Sequence, residues 1–209
     1  MANPLDRRSD DEQVPSAEEI TRHHDDDPDE DAWVNGPPPA QPVELVPYDP
    51  DWPRRFDEFA ARIRDALGDE ALTVEHVGST SVPGLAAKDI VDIDLTVVDP
   101  REESSYVPQL EEAGWVLTIR EPSWHEHRCL TRREGARSNL HVFGPDCPEV
   151  IRHRMFRDWL SVHADDRELY EAAKRAAIPG GGDVMDYNGR KQDAIRDIYG
   201  RVFRAAGLL

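Results

Sequence analysis

The chain has 209 residues, with 43 acidic against 25 basic side chains and a net charge of −18. That length allows one ordinary domain or two very small ones, and that charge argues against duplex nucleic acid as a partner, because phosphates would be repelled over most of the surface. No apolar run approaches bilayer-spanning length, the N-terminus has no signal-peptide core, and Cys129 and Cys147 give neither a disulfide framework nor a metal pattern, so a cytoplasmic protein with no membrane partner is expected.

Composition divides the chain near Pro42. Residues 1–41 hold twelve acids against three arginines, with Trp33 as their only aromatic. Such a segment cannot bury enough apolar surface to offset the entropy of ordering, and it is expected to be a disordered acidic tail. Residues 42–209 carry nearly all the large apolar side chains and form a single domain. Basic charge is 22 Arg and only three Lys, at positions 88, 174 and 191, so the place of each lysine is informative.

In chain order, "VELV" is a short strand-like piece that turns through Pro47, Pro50 and Pro53. "DWPRRFDEFAARIRDAL" is predicted as a helix, with Asp51 at the N-cap, Pro53 in the first turn, and Phe56, Phe59, Ile63 and Leu67 at helical spacing. "ALTVEHV" is a strand, "GSTSVPG" a loop, "LAAK" one helical turn, and "IVDIDLTVV" a strand rich in β-branched residues. "PREESSYVPQLEEAG" predicts a short helix closing on Gly114. Three further strands follow in "WVLTIR", "EHRCLTR" and "SNLHVF", the last two joined by "REGAR". After Pro148 the pattern turns helical in "EVIRHRMFRDWLSVH", "DDRELYEAAKRAA" and "MDYNGRKQDAIRDIYGRVFRAA". The class is α/β (α+β): a mixed β-sheet of four or five strands with flanking helices and a helical C-terminal half.

Within "IVDIDLTVV", period two puts Asp92, Asp94 and Thr96 on one face and Val91, Ile93, Leu95 and Val97 on the other. Neighbouring carboxylates repel, most of all where water is excluded, so neutralising both should leave the fold intact or more stable. A divalent cation cancels that repulsion, and Mg²⁺ takes one or two protein carboxylates plus water and substrate phosphate oxygens. An edge strand whose polar face meets water gives the same alternation. The preceding loop adds a second signal. Gly78 permits close backbone approach, and successive N–H groups with the hydroxyls of Ser79, Thr80 and Ser81 suit an anion. Thirteen residues separate Gly78 from Asp92, an arrangement suited to metal-assisted phosphoryl or nucleotidyl transfer.

A "GS" pair followed by "DxD" on a strand resembles the signature of the nucleotidyltransferase superfamily. More closely, "VELVPYDPDWPRRF", "EHVGSTSVPGLAAKDIVDIDLTV", "LHVF", "FRDWL" and "ELYEAAKR" resemble the GrpB family within it, block by block over residues 43–203. The resemblance implies a nucleotidyltransferase-like fold in which Gly78 and Ser79 hold a triphosphate. By the same resemblance, Asp92 and Asp94 ligate Mg²⁺ or Mn²⁺, and a nucleoside triphosphate gives its nucleotidyl group to a small-molecule or protein acceptor. Some members are joined to dephospho-CoA kinase. The implied alternative is a catalytically inactive module that binds a nucleotide or a coenzyme A precursor. A third carboxylate, usual in the superfamily on a later strand, is replaced here by Asn139 and His141 in "SNLHVF". Asp89 stands where the family commonly has Pro.

Around this core, Lys88 is either a point charge for a phosphate or a solvated surface lysine, and His141, since imidazoles ordinarily titrate near neutrality, is a candidate base or else a satisfied structural histidine. Arg128, Arg132, Arg133 and Arg137 gather around one hairpin and form a candidate phosphate patch led by Arg128. His76, beside the loop, fits a core or surface histidine as well as a ligand. Arg154, Arg157, Lys174 and Lys191 lie on the C-terminal helices, where Tyr187 and Lys191 match a family-like pair. "PGGGDV" lacks the Lys and Ser/Thr of a phosphate loop and is read as a connection. "WHEH" fits no structural zinc spacing.

Overall fold

The structure, a computed structural model, describes residues 14–24, 27, 29–39, 42–178 and 184–209. The alternation of Val91, Ile93 and Leu95 with Asp92 and Asp94 becomes the second strand of a five-stranded mixed sheet. Its strands are β1 (Thr73–Val77), β2 (Val91–Thr96), β3 (Val116–Glu121), β4 (His127–Arg132) and β5 (Ser138–Phe143), in the order β1-β2-β5-β4-β3. Only β2 and β5 run parallel, and the other neighbours are antiparallel. The two faces differ in character because successive side chains alternate.

The apolar face carries Val91, Ile93, Leu95, Leu130, Leu140 and Val142, all buried in one cluster with Trp52, Phe59, Ile63 and Leu67. Those four come from helix α2 (Trp52–Leu67), whose periodicity the sequence displays, and Leu110 joins from α3 (Val107–Glu112). Each such side chain contributes roughly 1.5–3 kcal/mol on burial. Helix α1 (Ala17–Thr21) precedes these. On the opposite face α4 (Pro148–Val162) reaches the sheet, and α5 (Ala164–Ala177), α6 (Val184–Arg190) and α7 (Gln192–Ala205) pack on α4 and on one another. The α/β class, the mixed sheet and the helical C-terminal half are as the sequence implies.

Several details differ. Asp51 occupies the N-cap position but makes no capping bond, because its carboxylate is drawn to Arg54 and Arg55 instead. The "LAAK" segment forms no helical turn, since Ala87 exchanges both backbone hydrogen bonds with Val46, at 2.8 and 3.0 Å, in an isolated bridge. That bridge is also all that "VELV" contributes. The last predicted helix is two, broken at Lys191. Of "PGGGDV", residues 179–183 lie outside the described residues, as do residues 1–13 of the acidic segment.

Within that segment, composition misleads. Ser16 and Glu19 form a reciprocal capping box that starts α1, and Ile20 is buried among Leu160, Tyr199, Val202 and Phe203. Arg152 on α4 donates to the carbonyls of Ile20 and Arg22 at 3.0 and 2.6 Å. Further on, Trp33 bridges Ile119 on β3, flanked by Val34 N–H to Thr118 and Arg120 N–H to Ala32. One apolar side chain seated in a waiting groove, plus an open sheet edge, orders residues that their charge would leave loose. Asp89 also finds a role, accepting from the indole of Trp52 at 2.9 Å and from Arg55 at 2.7 Å.

Candidate functional site

Register decides what meets on the polar face. Asp92 pairs with Val77 and Asn139, and Asp94 with Glu75 and His141, so these side chains form two adjacent rows across three strands. Asn139 Nδ2 donates to Asp92 Oδ1 at 2.8 Å, leaving Asp92 Oδ2 without a hydrogen bond among the described residues. Gly78 lies directly over it. A Cβ at position 78 would stand 2.5 Å from Asp92 Oδ2, and the backbone there has a φ of +67°. The bend and the acid therefore touch because residue 78 has no side chain.

Asp94 sits deeper, 1% exposed, and does not line the cleft that Asp92 opens into. His153, reaching down from α4, donates from Nδ1 to Asp94 Oδ2 at 2.9 Å, while Asp94 Oδ1 is buried with no partner. Burial alone would lower the imidazole, but the charge of Asp94 and this bond overcome it and hold His153 up at about 9. The expectation that both carboxylates are simply repelling, and that their removal is harmless, is thus overturned for Asp94: it has a buried counter-ion. The same helix sets Arg154 on Glu75 at 2.7 Å and donates Arg157 to the carbonyl of His76 at 3.1 Å.

The loop residues divide. Ser79, Thr80 and Ser81 form a short 3₁₀ turn. Thr80 is buried against His76 Nε2 at 3.0 Å, and Ser81 folds back onto the carbonyl of Gly78 at 2.6 Å. His76 itself stacks on Phe56 and belongs to the packing. Only Ser79 engages a distant element: its hydroxyl accepts from Lys174 Nζ at 3.2 Å, across 95 residues of chain. Lys174, 2% exposed, also donates to the carbonyl of Ala86 and lies 4.8 Å from the Tyr170 ring. Lys88 and Lys191 stand 5.3 and 5.0 Å from the ring of Tyr187. All three lysines of the chain therefore line one cleft of about 1210 Å³, together with Gly78, Ser79 and Asp92. Burial, followed by the charge of Lys191, pushes Lys88 down to about 8 and Lys174 down to about 7.

Arg128 is not part of this gathering. It shares the face of Leu130, away from His127 and Cys129, and its guanidinium is held by Glu103 at 2.7 Å beside Arg120. A period of two on β4 turns it away from phosphate and into a structural ion pair. Arg133 does line the cleft, and Arg132 binds the carbonyls of Ala113 and Gly114. His141 lies on the cleft side, its Nδ1 3.0 Å from His127 Nε2. His153 and Glu121 carry no signal in the sequence, and His127 stands there only within "WHEH", weighed as a zinc motif. Only the two-residue spacing of His127 and Cys129 on a strand could have pointed to one of them.

The arrangement offers a cation-rich pocket for several negative oxygens, next to carboxylate oxygens that lack donors. Among the described residues, no cluster of three or more His, Cys, Asp or Glu is arranged to hold a metal ion by itself, and no helix is long and apolar enough to cross a membrane.

Comparison with known proteins agrees with the fold. A UPF0157 protein of Halalkalibacterium halodurans is 47% identical over 160 residues, covering 76% of this chain and 82% of its own. A dephospho-CoA kinase of Mycolicibacterium paratuberculosis is 32% identical over 188 residues, a match that takes in 78% of this chain but 46% of the kinase. The crystal structure of the GrpB protein from Enterococcus faecalis aligns with a TM-score of 0.59 at 25% identity, over 75% of this chain and 99% of that one. Residues 42–201, which hold all five strands, the glycine–serine bend and the three lysines, match the GrpB protein family, and the chain belongs to it.

Proposed function

We propose that this GrpB protein is a Mg²⁺-dependent nucleotidyltransferase, moving a nucleotidyl group from a nucleoside triphosphate to a small-molecule or protein acceptor and releasing pyrophosphate. The gathering of Lys88, Lys174 and Lys191 along one cleft with Asp92, Lys174 bonded to Ser79 and the other two against Tyr187, carries this reading. Burial depresses two of these ammonium groups, Lys88 and Lys174, and a polyanion bound beside them would restore their charge. The triphosphate tail lies against Ser79 and the lysines, and the α-phosphate reaches Asp92.

The acids fit a hard cation. Asp94 Oδ1 is buried without a donor, and Asp92 Oδ2 accepts no hydrogen bond from the described residues. Asp92 Oδ2 with phosphate oxygens and water would give a coordination Mg²⁺ accepts, and Mn²⁺ takes the same set, while Asp94, closed off from the cleft and paired with His153, backs it. A bound ion supplies Lewis-acid polarisation of a phosphoryl oxygen and neutralises charge developing there. Asn139 and His153 orient Asp92 and Asp94, while the lysines bind the departing pyrophosphate.

One observation favours a second reading. Asn139 stands at the β5 position where a third acid is expected, and it donates a hydrogen bond where an acid would accept one. A nucleotide- or coenzyme A-precursor-binding module without transfer activity follows from that. Melting curves with ATP, GTP, CTP and UTP, each with and without Mg²⁺, test binding, because a specific ligand raises stability. Label on the α-phosphate, followed into any acceptor, separates the two readings. A raised melting temperature with immobile label leaves the binding module, and no rise with any nucleotide or with a coenzyme A precursor removes both. Lys174→Met, which keeps the volume and removes the charge, is expected to weaken triphosphate binding about 10–100-fold, the worth of a charge-assisted hydrogen bond. Equal affinity in a titration of the two proteins would contradict the placement of the tail.

A further inference from the structure

Behind His141 runs a buried chain that packing alone does not call for. Glu121 ends β3, and its carboxylate lies 2.6 Å from His127 Nδ1; His127 Nε2 lies 3.0 Å from His141 Nδ1. His127 is 2% exposed, stacked on Phe143 and set edge-on to Trp124, so its ring cannot turn without disturbing both. His141 lines the cleft with Asp92, Asn139 and His153, and its Nε2 has no hydrogen-bond partner among the described residues.

The proton positions follow from elementary valence. Burial holds His127 well below its ordinary range, helped by the charges of His141 and His153, and burial likewise lowers His141 against the pull of Asp94 and Asp92. A 3.0 Å contact between two ring nitrogens needs an N–H on one and a lone pair on the other, and a neutral ring has one of each. An ionised carboxylate only accepts, so His127 places its proton on Nδ1, toward Glu121. Its Nε2 is then bare and accepts from Nδ1 of His141. One arrangement remains for His141: the proton on Nδ1, and a lone pair on Nε2 facing the cleft. Burial also raises the Glu121 carboxyl, making it a firmer acceptor at the head of the chain.

We propose that Glu121 and His127 are positioning residues which fix His141 in the tautomer whose bare Nε2 meets the acceptor, the task a third carboxylate performs elsewhere in this fold class. This rests on the transfer reading above. In the step, the acceptor O–H bond breaks and its proton passes to His141 Nε2. The acceptor oxygen bonds to the α-phosphorus, and the bond to pyrophosphate breaks, its electron pair leaving with pyrophosphate. The carboxylate absent at Asn139 is thus supplied from β3, two imidazoles away.

The test uses the full chain labelled with ¹⁵N-histidine at pH 7, where long-range ¹H–¹⁵N spectra report which ring nitrogen carries the proton. Expected are His127 and His141 both protonated on Nδ1 and bare on Nε2, and loss of that single form for His141 in Glu121→Leu. Pyrophosphate release from each Mg²⁺–nucleoside triphosphate is followed in parallel. Glu121→Leu should lower kcat by about a hundredfold, the scale of general base catalysis, with KM unchanged, a split that a merely structural residue would not produce. A proton on Nε2 of His141, or an unaltered kcat in the variant, overturns the proposal. Absence of pyrophosphate from the unmodified chain overturns the transfer reading instead, and the tautomer, measured without any variant, then decides the roles of Glu121 and His127.

Discussion

Gly78→Ala is expected to melt about 5–10 °C below the parent protein and to lose nucleotide binding. Two independent costs add. The backbone at position 78 has φ +67° and ψ −169°, a region that only glycine visits freely, and holding a residue with a Cβ there costs of order 1–3 kcal/mol. The new methyl would also stand 2.5 Å from Asp92 Oδ2 and 2.9 Å from Asp92 Cβ. Since Asp92 is on a central strand, it is the bend that moves. For a chain of this size each kcal/mol is roughly 2–4 °C. Calorimetry and a nucleotide titration measure both effects, and a melting temperature within about a degree of the parent would mean the bend does not lie against Asp92.

Asp94→Asn carries the second large effect, and its signature is pH dependence. His153 binds its proton more tightly in the folded chain, at about 9 against an ordinary 6.5. Its contribution is therefore complete below about pH 6.5 and disappears as pH rises through about 9. At pH 7 the linkage is worth about 2–3 kcal/mol. The isosteric amide removes the charge that raises His153, so the variant should melt roughly 5–10 °C lower at pH 7. Near pH 10, where His153 is neutral in both proteins, the two curves should converge. A gap of constant size from pH 6.5 to pH 10 would show that hydrogen bonding or packing, and not the ion pair, accounts for the loss.

Local pattern made part of this legible. Alternation in "IVDIDLTVV" carried both the apolar face that packs on α2 and the shared face of Asp92 and Asp94, because the period of a strand is a property of a few residues. The capping box of Ser16 and Glu19 was equally visible, yet the charge of its surroundings hid it; Ile20 needs only one groove to hold it. Arg128 shows the limit of reading charge without a face. Grouped with nearby arginines along the chain, it shares a strand face with Arg132 and points away from the cleft that Arg133 lines. His153 and Lys174 were beyond local reading, since they reach Asp94 and Ser79 from 59 and 95 residues away through the docking of helices on a sheet. No spacing rule encodes such docking.

Confinement of every lysine to one cleft of the molecule has a chemical consequence. Reagents that acylate or condense with side-chain amines have a single neighbourhood in which to act: Lys174 is sealed at 2% exposed, and Lys88, pushed by burial down to about 8, keeps a nucleophilic free-base fraction near neutral pH. Covalent tagging thereby becomes a footprint of the occupied pocket, without a mutation and without knowing what the protein transfers.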